Sequence, residues 1–137
     1  MERERLAPYL GAVACLILVA LLSAPYFVIE SQPPLLGDYY SAGPLGIVGA
    51  LFLATLGVVI FLSSVRGRAD PELVAGIMLV VGVTIFGLTA LWAVAIDSTL
   101  LFSFPADYSW IEYHPWASLA VSGVVAGAAA IYAAAVY

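Results

Sequence analysis

The sequence contains no lysine, and its four basic residues are all arginines. Nine acids outnumber them, which leaves a formal net charge of −5. Binding to nucleic acid needs many cationic contacts with phosphates, so this balance argues against nucleic acid as a partner. Charged residues of both signs make up only 9% of the 137 positions. That share is too small to cover the surface of a water-soluble domain of this length.

Cysteine is equally scarce, because Cys15 is the only one in the sequence. A single cysteine cannot form an intramolecular disulfide. This excludes four-helix membrane oxidoreductases that exchange electrons through paired cysteines. Since Cys15 lies in an apolar run, we expect it to be a small packed residue.

Apolar residues dominate instead, at 64% of the sequence with a mean hydropathy of +1.10. Four apolar segments each reach the roughly 20 residues that are needed to cross a bilayer. The sequence therefore predicts an all-α membrane protein in which 1–137 form a single four-transmembrane-helix bundle. The predicted helices cover about 6–29, 44–64, 71–97 and 115–137.

A proline marks the start of each predicted helix. Pro44, Pro71 and Pro115 suit a first helical turn, where the missing N–H of proline is not needed, and Pro8 is expected in the first turn of the first helix. Asp70 is predicted to cap the third helix.

The arginines predict the orientation, because all four fall on one side of the predicted bundle. They are Arg3, Arg5, Arg66 and Arg68. This side is expected in the cytoplasm, with both termini and the loop 63–70, while the loops 30–43 and 98–114 are expected outside the cell membrane. Four acids balance the arginines, so the net charge belongs to the outer side. The outer acids are Glu30, Asp38, Asp97, Asp107 and Glu112.

No Asp, Glu, Lys, Arg or His lies between the ends of any of the four predicted helices. Pumps and coupled transporters ordinarily place such groups near mid-membrane, so this class is disfavoured. His114 is the only histidine and lies near a helix end, which excludes haem ligation by paired histidines inside the bundle. We interpret His114 as a helix-start residue, and we predict no cofactor.

Small residues at four-residue spacing predict helix packing, since apolar helices in lipid associate by close approach. The fourth helix carries two such series and the second helix a third that could receive them. We favour packing within the chain over association between copies. The predicted packing residues are Gly46, Ala50, Ala54, Ser118, Ser122, Gly123, Ala126 and Gly127.

Aromatic residues are dense in the outer loops and are expected to form a small external cap. An interfacial belt at the lipid headgroups is the simpler interpretation, and it also covers Trp92 near the outer end of the third helix. A recognition surface is the functional interpretation. The recognition candidates are Tyr39, Tyr40, Phe104, Tyr108, Trp110, Tyr113 and Trp116.

A divalent-cation site is a weaker hypothesis, because oxygen and imidazole ligands occur in the outer loops without a recognised spacing. Its ligands would be Asp97, Asp107, Glu112 and His114, with Asp38 as a further candidate. No nucleophile and base pair, phosphate loop or metal motif is present in the sequence, so catalysis is not expected.

The segments Gly-Asp-Tyr-Tyr-Ser-Ala-Gly-Pro at 37–44 and Ile-Glu-Tyr-His-Pro-Trp at 111–116, together with the acidic, lysine-free composition, resemble those of small uncharacterised four-helix membrane proteins of haloarchaea. The plan is similar to claudin-like tetraspan proteins, without their paired external cysteines. We expect a nonenzymatic structural or accessory protein whose outer loops contact another membrane protein or other copies. The alternatives are a small oligomeric channel or carrier, lined by positions such as Ser118 and Ser122, and, more weakly, a membrane enzyme using the outer acids and His114.

Overall fold

The computed structural model describes residues 2–28, 37, 39–42, 46–65, 67, 69–96 and 110–137. Within them the chain forms four long helices: α1 over Glu2–Val28, α2 over Val48–Val65, α3 over Pro71–Ala95 and α4 over His114–Val136. All four are long and apolar enough to cross a membrane. The structure is all-helical, as the apolar segments predict.

The helices form a ring in which each one packs against two others. α1 packs against α2 and α4, and α3 also packs against α2 and α4. α2 and α4 are therefore diagonally opposed, and in the small-residue series on α4 Ala126 lies against Gly82 of α3 rather than against the series on α2. We refer to the two ends of the ring as the Tyr39 end, where α1 and α3 finish, and the Tyr137 end, where they begin.

Glycines let the helix backbones come close at two contacts. A β-carbon added at Gly82 of α3 would lie 3.2 Å from the Cα of Ala126 on α4. A β-carbon added at Gly11 of α1 would overlap the ring of Phe61, which is fully buried on α2. In lipid this kind of close packing supplies much of the contact energy between helices.

Cys15 belongs to the same kind of packing. It is fully buried on α1, and its sulfur lies 2.8 Å from where a β-carbon at Gly57 of α2 would stand. Cys15 is therefore a small packed residue, as predicted from the apolar run around it.

The helix starts follow the sequence signals only in part. Asp70 caps α3 by accepting a hydrogen bond from the Glu72 N–H at 3.2 Å, and Pro71 is the first helical residue. The prediction for Pro8 was wrong, because α1 begins at Glu2 and Pro8 lies inside the helix.

The start of α2 also differs from the prediction. Gly46 has a φ of +68°, a left-handed conformation that ends helical geometry and that glycine adopts without strain. The helix accordingly begins at Val48, and Gly46 is not part of the packing face formed by Ala50 and Ala54. The Ile47 N–H instead donates to the Tyr40 carbonyl at 3.1 Å, which fixes Tyr40 beside the start of α2.

Candidate functional site

Three buried side chains that carry polar atoms meet at the Tyr39 end. We call the group formed by the Leu21 carbonyl, Tyr39, Trp92 and His114 the Tyr39–His114 network. Its members come from the last turns of α1, the segment 39–42, the last turn of α3 and the first residue of α4. Tyr39, Trp92 and His114 are all buried, with at most 3% of each residue exposed.

The Leu21 carbonyl is available because of a proline in α1. An α-helical carbonyl normally accepts from the N–H four residues later, and for Leu21 that residue is Pro25, which has no N–H. A carbonyl buried without a donor is costly, and in membrane helices neighbouring helices satisfy it. Here His114 of α4 does so, with its Nε2 2.5 Å from the Leu21 oxygen.

This contact determines the state of the histidine ring. A carbonyl can only accept, so Nε2 carries a proton and donates it to Leu21. In a neutral ring Nδ1 is then the acceptor. The Tyr39 hydroxyl lies 2.5 Å from Nδ1 and is therefore its donor. Both ring nitrogens of His114 are thus used within the chain.

Trp92 completes the network from α3. Its indole N–H donates to the Tyr39 carbonyl at 2.8 Å, and its ring packs edge to face on the Tyr39 ring with centroids 5.1 Å apart. The interpretation of Trp92 as an interfacial belt residue was wrong, because only 1% of it is exposed. It is a buried donor that holds the backbone of Tyr39.

Tyr40 connects the same segment to two more places. Its hydroxyl donates to the Leu22 carbonyl of α1 at 2.7 Å, while its own carbonyl receives the Ile47 N–H. The segment 39–42 is therefore bonded to α1, to α3, to α4 and to the residue before α2. Every buried side-chain nitrogen or oxygen in the described part of the chain has a hydrogen-bond partner.

Burial also keeps the hydroxyl group of Tyr39 protonated. Loss of solvent raises the pKa of the Tyr39 phenol well above its usual value, and the neighbouring Tyr40 raises it further. The phenol is a hydrogen-bond donor at any ordinary pH.

The cation ligands proposed from the sequence are only partly placed. Asp38, Asp97 and Asp107 lie outside the described residues. Glu112 is half-buried in the turn before α4, and both nitrogens of His114 are engaged. No group of three or more metal-ligating side chains occurs among the residues that the structure describes.

The recognition candidates separate into buried and exposed residues. Tyr39 is fully buried, while Tyr40 and Trp110 are half-buried. Tyr113 and Trp116 stand on the surface at the start of α4, with 73% and 55% exposed. Phe104 and Tyr108 lie outside the described residues.

Hydroxyl groups inside the helices serve their own backbone. Ser118 and Ser122 are fully buried and donate to the carbonyls of His114 and Leu119. Thr89 and Thr84 likewise donate to carbonyls four residues earlier, as their positions in α3 predict.

The glycine pair on α4 faces partly outward. A β-carbon at Gly123 would meet the Phe86 ring at 3.4 Å, whereas one at Gly127 would have nothing within 4 Å. Ala126, between them, lies against Gly82 of α3.

In the part of the chain that the structure describes, four apolar helices are long enough to cross a membrane and pack in one ring, which indicates the class of multi-pass membrane proteins. Within that class the chain belongs to the family of unknown function DUF7548, whose profile matches residues 1–137. No curated protein and no solved structure gives a significant match to the chain.

Proposed function

We propose that this protein is a nonenzymatic accessory protein of the membrane that acts by contact. The observation that carries the proposal is how its polar groups are used. His114, Trp92, Ser118 and Ser122 all bond within the chain. The large side chains left on the surface at the Tyr39 end include three aromatic ones, Phe27, Tyr113 and Trp116, of which the last two stand together at the start of α4. Exposed rigid aromatics are suited to contact with a lipid headgroup layer or a protein partner.

The oligomeric channel or carrier is the alternative. This alternative was based on the hydroxyl groups of residues such as Ser118 and Ser122, which could line a pore between copies of the chain. Since Ser118 and Ser122 face the inside of a single bundle, the surface between copies would lack these hydroxyls. Ion flux through liposomes containing the purified protein would favour the channel and contradict the accessory role. The membrane enzyme and the cation-binding protein remain weaker alternatives.

The orientation and the origin are part of the same proposal. The arginines favour both termini on the cytoplasmic side, which places Tyr113 and Trp116 outside. The acidic, lysine-free composition favours a haloarchaeal source. Single cysteines introduced at Gly67 and Ser41 in a Cys15→Ser background test the orientation with a membrane-impermeant thiol reagent. We expect labelling at Ser41→Cys in intact cells and at Gly67→Cys only after permeabilisation, and the reverse pattern would invert the topology.

The contact itself is tested by crosslinking in native membranes. A photoreactive residue at Tyr113 or Trp116 should capture either another membrane protein or a second copy of this chain. The double variant Tyr113→Ala and Trp116→Ala should lose copurification of whatever is captured. Tyr9→Ala is the matched control, because Tyr9 is an exposed aromatic at the Tyr137 end. Equal loss in both variants, or no specific product, would contradict the proposal.

A further inference from the structure

The Tyr39–His114 network depends on one protonation state of one residue. Pro25 leaves the Leu21 carbonyl in need of a donor, and this holds the proton of neutral His114 on Nε2. Only then does Nδ1 have a free lone pair for the Tyr39 hydroxyl. Histidine is also the side chain that gains a proton closest to neutral pH.

We propose that the Tyr39–His114 network is an acid-sensitive latch, closed while His114 is neutral and released when a proton enters at Nδ1. With that proton in place, the Nδ1–H points at the hydroxyl that had donated to it. The Tyr39 hydroxyl can then no longer donate to Nδ1 and must turn away from it. The imidazolium is also a buried charge, and such a charge is costly without a carboxylate to pair with it.

Within the described part of the chain, neither ring nitrogen of His114 meets a carboxylate. From α1 it meets the Leu21 carbonyl, from the segment 39–42 it meets Tyr39, and from α3 it meets the uncharged Trp92 ring at a centroid distance of 6.0 Å. Trp110 packs on it from the preceding turn. The other titratable side chains of the segment 39–42 and of the turn 110–113 are Tyr40, Glu112 and Tyr113, of which Glu112 is half-buried and Tyr113 is exposed. The charged residues of α1 and α3 lie in their first turns, at the Tyr137 end.

Release at His114 reaches the rest of the Tyr39 end. Tyr39 carries the carbonyl to which Trp92 donates, so displacement of Tyr39 leaves the indole N–H without its partner. The next residue, Tyr40, is bonded to α1 and to the start of α2. Acid begins to weaken the closed form below about pH 6.5, where imidazole in water takes up a proton, and weakens it further as the pH falls.

Trp92 fluorescence provides the test on the full chain in detergent or liposomes. The chain has three tryptophans, so Trp110→Phe and Trp116→Phe leave Trp92 as the reporter. Quenching by acrylamide measures the exposure of Trp92, and acrylamide itself does not change its charge with pH. We expect the quenching constant to be low at about pH 7.5 and to rise by about twofold or more by about pH 5, as the latch opens.

Two further variants in the same background identify the titrating group. His114→Gln can still donate to Leu21 but does not titrate, so its quenching constant should stay the same over this pH range. Tyr39→Phe removes the bond that favours neutral His114, and the rise should therefore occur at a pH higher by roughly one unit. A constant value in the parent protein would overturn the latch. An equal rise of the quenching constant in His114→Gln would also overturn it. If His114→Gln does not fold, the deciding result is Tyr39→Phe, in which an unchanged pH midpoint of the rise would overturn the latch.

Discussion

The two ends of the bundle are held together by different forces. At the Tyr39 end, buried hydrogen bonds link α1, the segment 39–42, α3 and α4. At the Tyr137 end, the one side-chain hydrogen bond between helices in the described part of the chain runs from the Tyr137 hydroxyl to the Glu72 carbonyl, at 2.6 Å and exposed. That end relies on close packing, such as Phe61 against Gly11. Specific polar bonds and shape complementarity thus serve the same purpose at opposite ends.

Of the changes that test the two ends, removal of the Trp92 side chain should have the largest effect on stability. Trp92→Ala deletes a fully buried ring and the donor to the Tyr39 carbonyl, so we expect a loss of about 3–5 kcal/mol in the free energy of unfolding. The measurement is unfolding of the purified protein in mixed detergent micelles. Trp116→Ala is the control, since that ring is exposed and its loss should cost less than about 0.5 kcal/mol. Similar losses in the two variants would argue against a buried role for Trp92.

The packed end is tested by adding one methyl group. Gly11→Ala should push the added carbon into the Phe61 ring, and we expect a loss of about 1–3 kcal/mol from overpacking. Gly127→Ala adds the same group where there is nothing within 4 Å. The second variant should be neutral or gain up to about 1 kcal/mol from helix propensity. The same unfolding assay compares them, and a tolerated Gly11→Ala would mean that the α1–α2 contact is looser than described.

A matched pair of tyrosines compares the hydrogen bonds directly. Tyr39→Phe leaves the Nδ1 of His114 without its donor and should cost about 1–2 kcal/mol, because the site is buried. Tyr137→Phe removes a hydroxyl that can exchange its partner for water, so its cost should stay below about 0.5 kcal/mol. Thermal unfolding of the two variants side by side is sufficient. Equal shifts would contradict the difference between the ends.

Alkaline pH should give the smallest effect. Burial raises the pKa of Tyr39 in the folded chain, so above about pH 10 the unfolded chain loses a phenolic proton that the folded chain keeps. Stability from Tyr39 is therefore present below that pH and lost as the pH rises further. The loss should be less than about 1 kcal/mol at about pH 10.5. The variant Tyr39→Phe should lack this part of the alkaline loss of stability. An identical alkaline profile in both proteins would exclude this contribution.

The four helices could be predicted from the sequence, but the Tyr39–His114 network could not. Length and hydropathy predict four spanning helices because crossing a bilayer demands both, and Asp70 before Pro71 marks the start of α3 through local chemistry. Trp92 and Tyr39 were misinterpreted because the same rings suit an interface and a buried contact. Their burial depends on which helices are neighbours, which no local pattern reveals.

One sequence signal for the network was available. Pro25 lies inside an apolar segment, and a proline there leaves the carbonyl of Leu21 without its helical donor. The chain has one histidine, and it stands at the start of a helix, where it can reach the end of an antiparallel neighbour. Together these facts allow the pairing of Leu21 with His114 to be sought, although they do not identify Tyr39 as the next member.

The bond between the Ile47 N–H and the Tyr40 carbonyl joins the segment 39–42 to the start of α2. A residue inserted between Tyr39 and Tyr40 would pull one of them out of its bond to His114 or to Ile47. By contrast, the turn at Gly67 has a φ of +71° and open space around it. For anyone grafting an epitope or a fluorescent module into this protein, the second position can accept the addition and the first cannot.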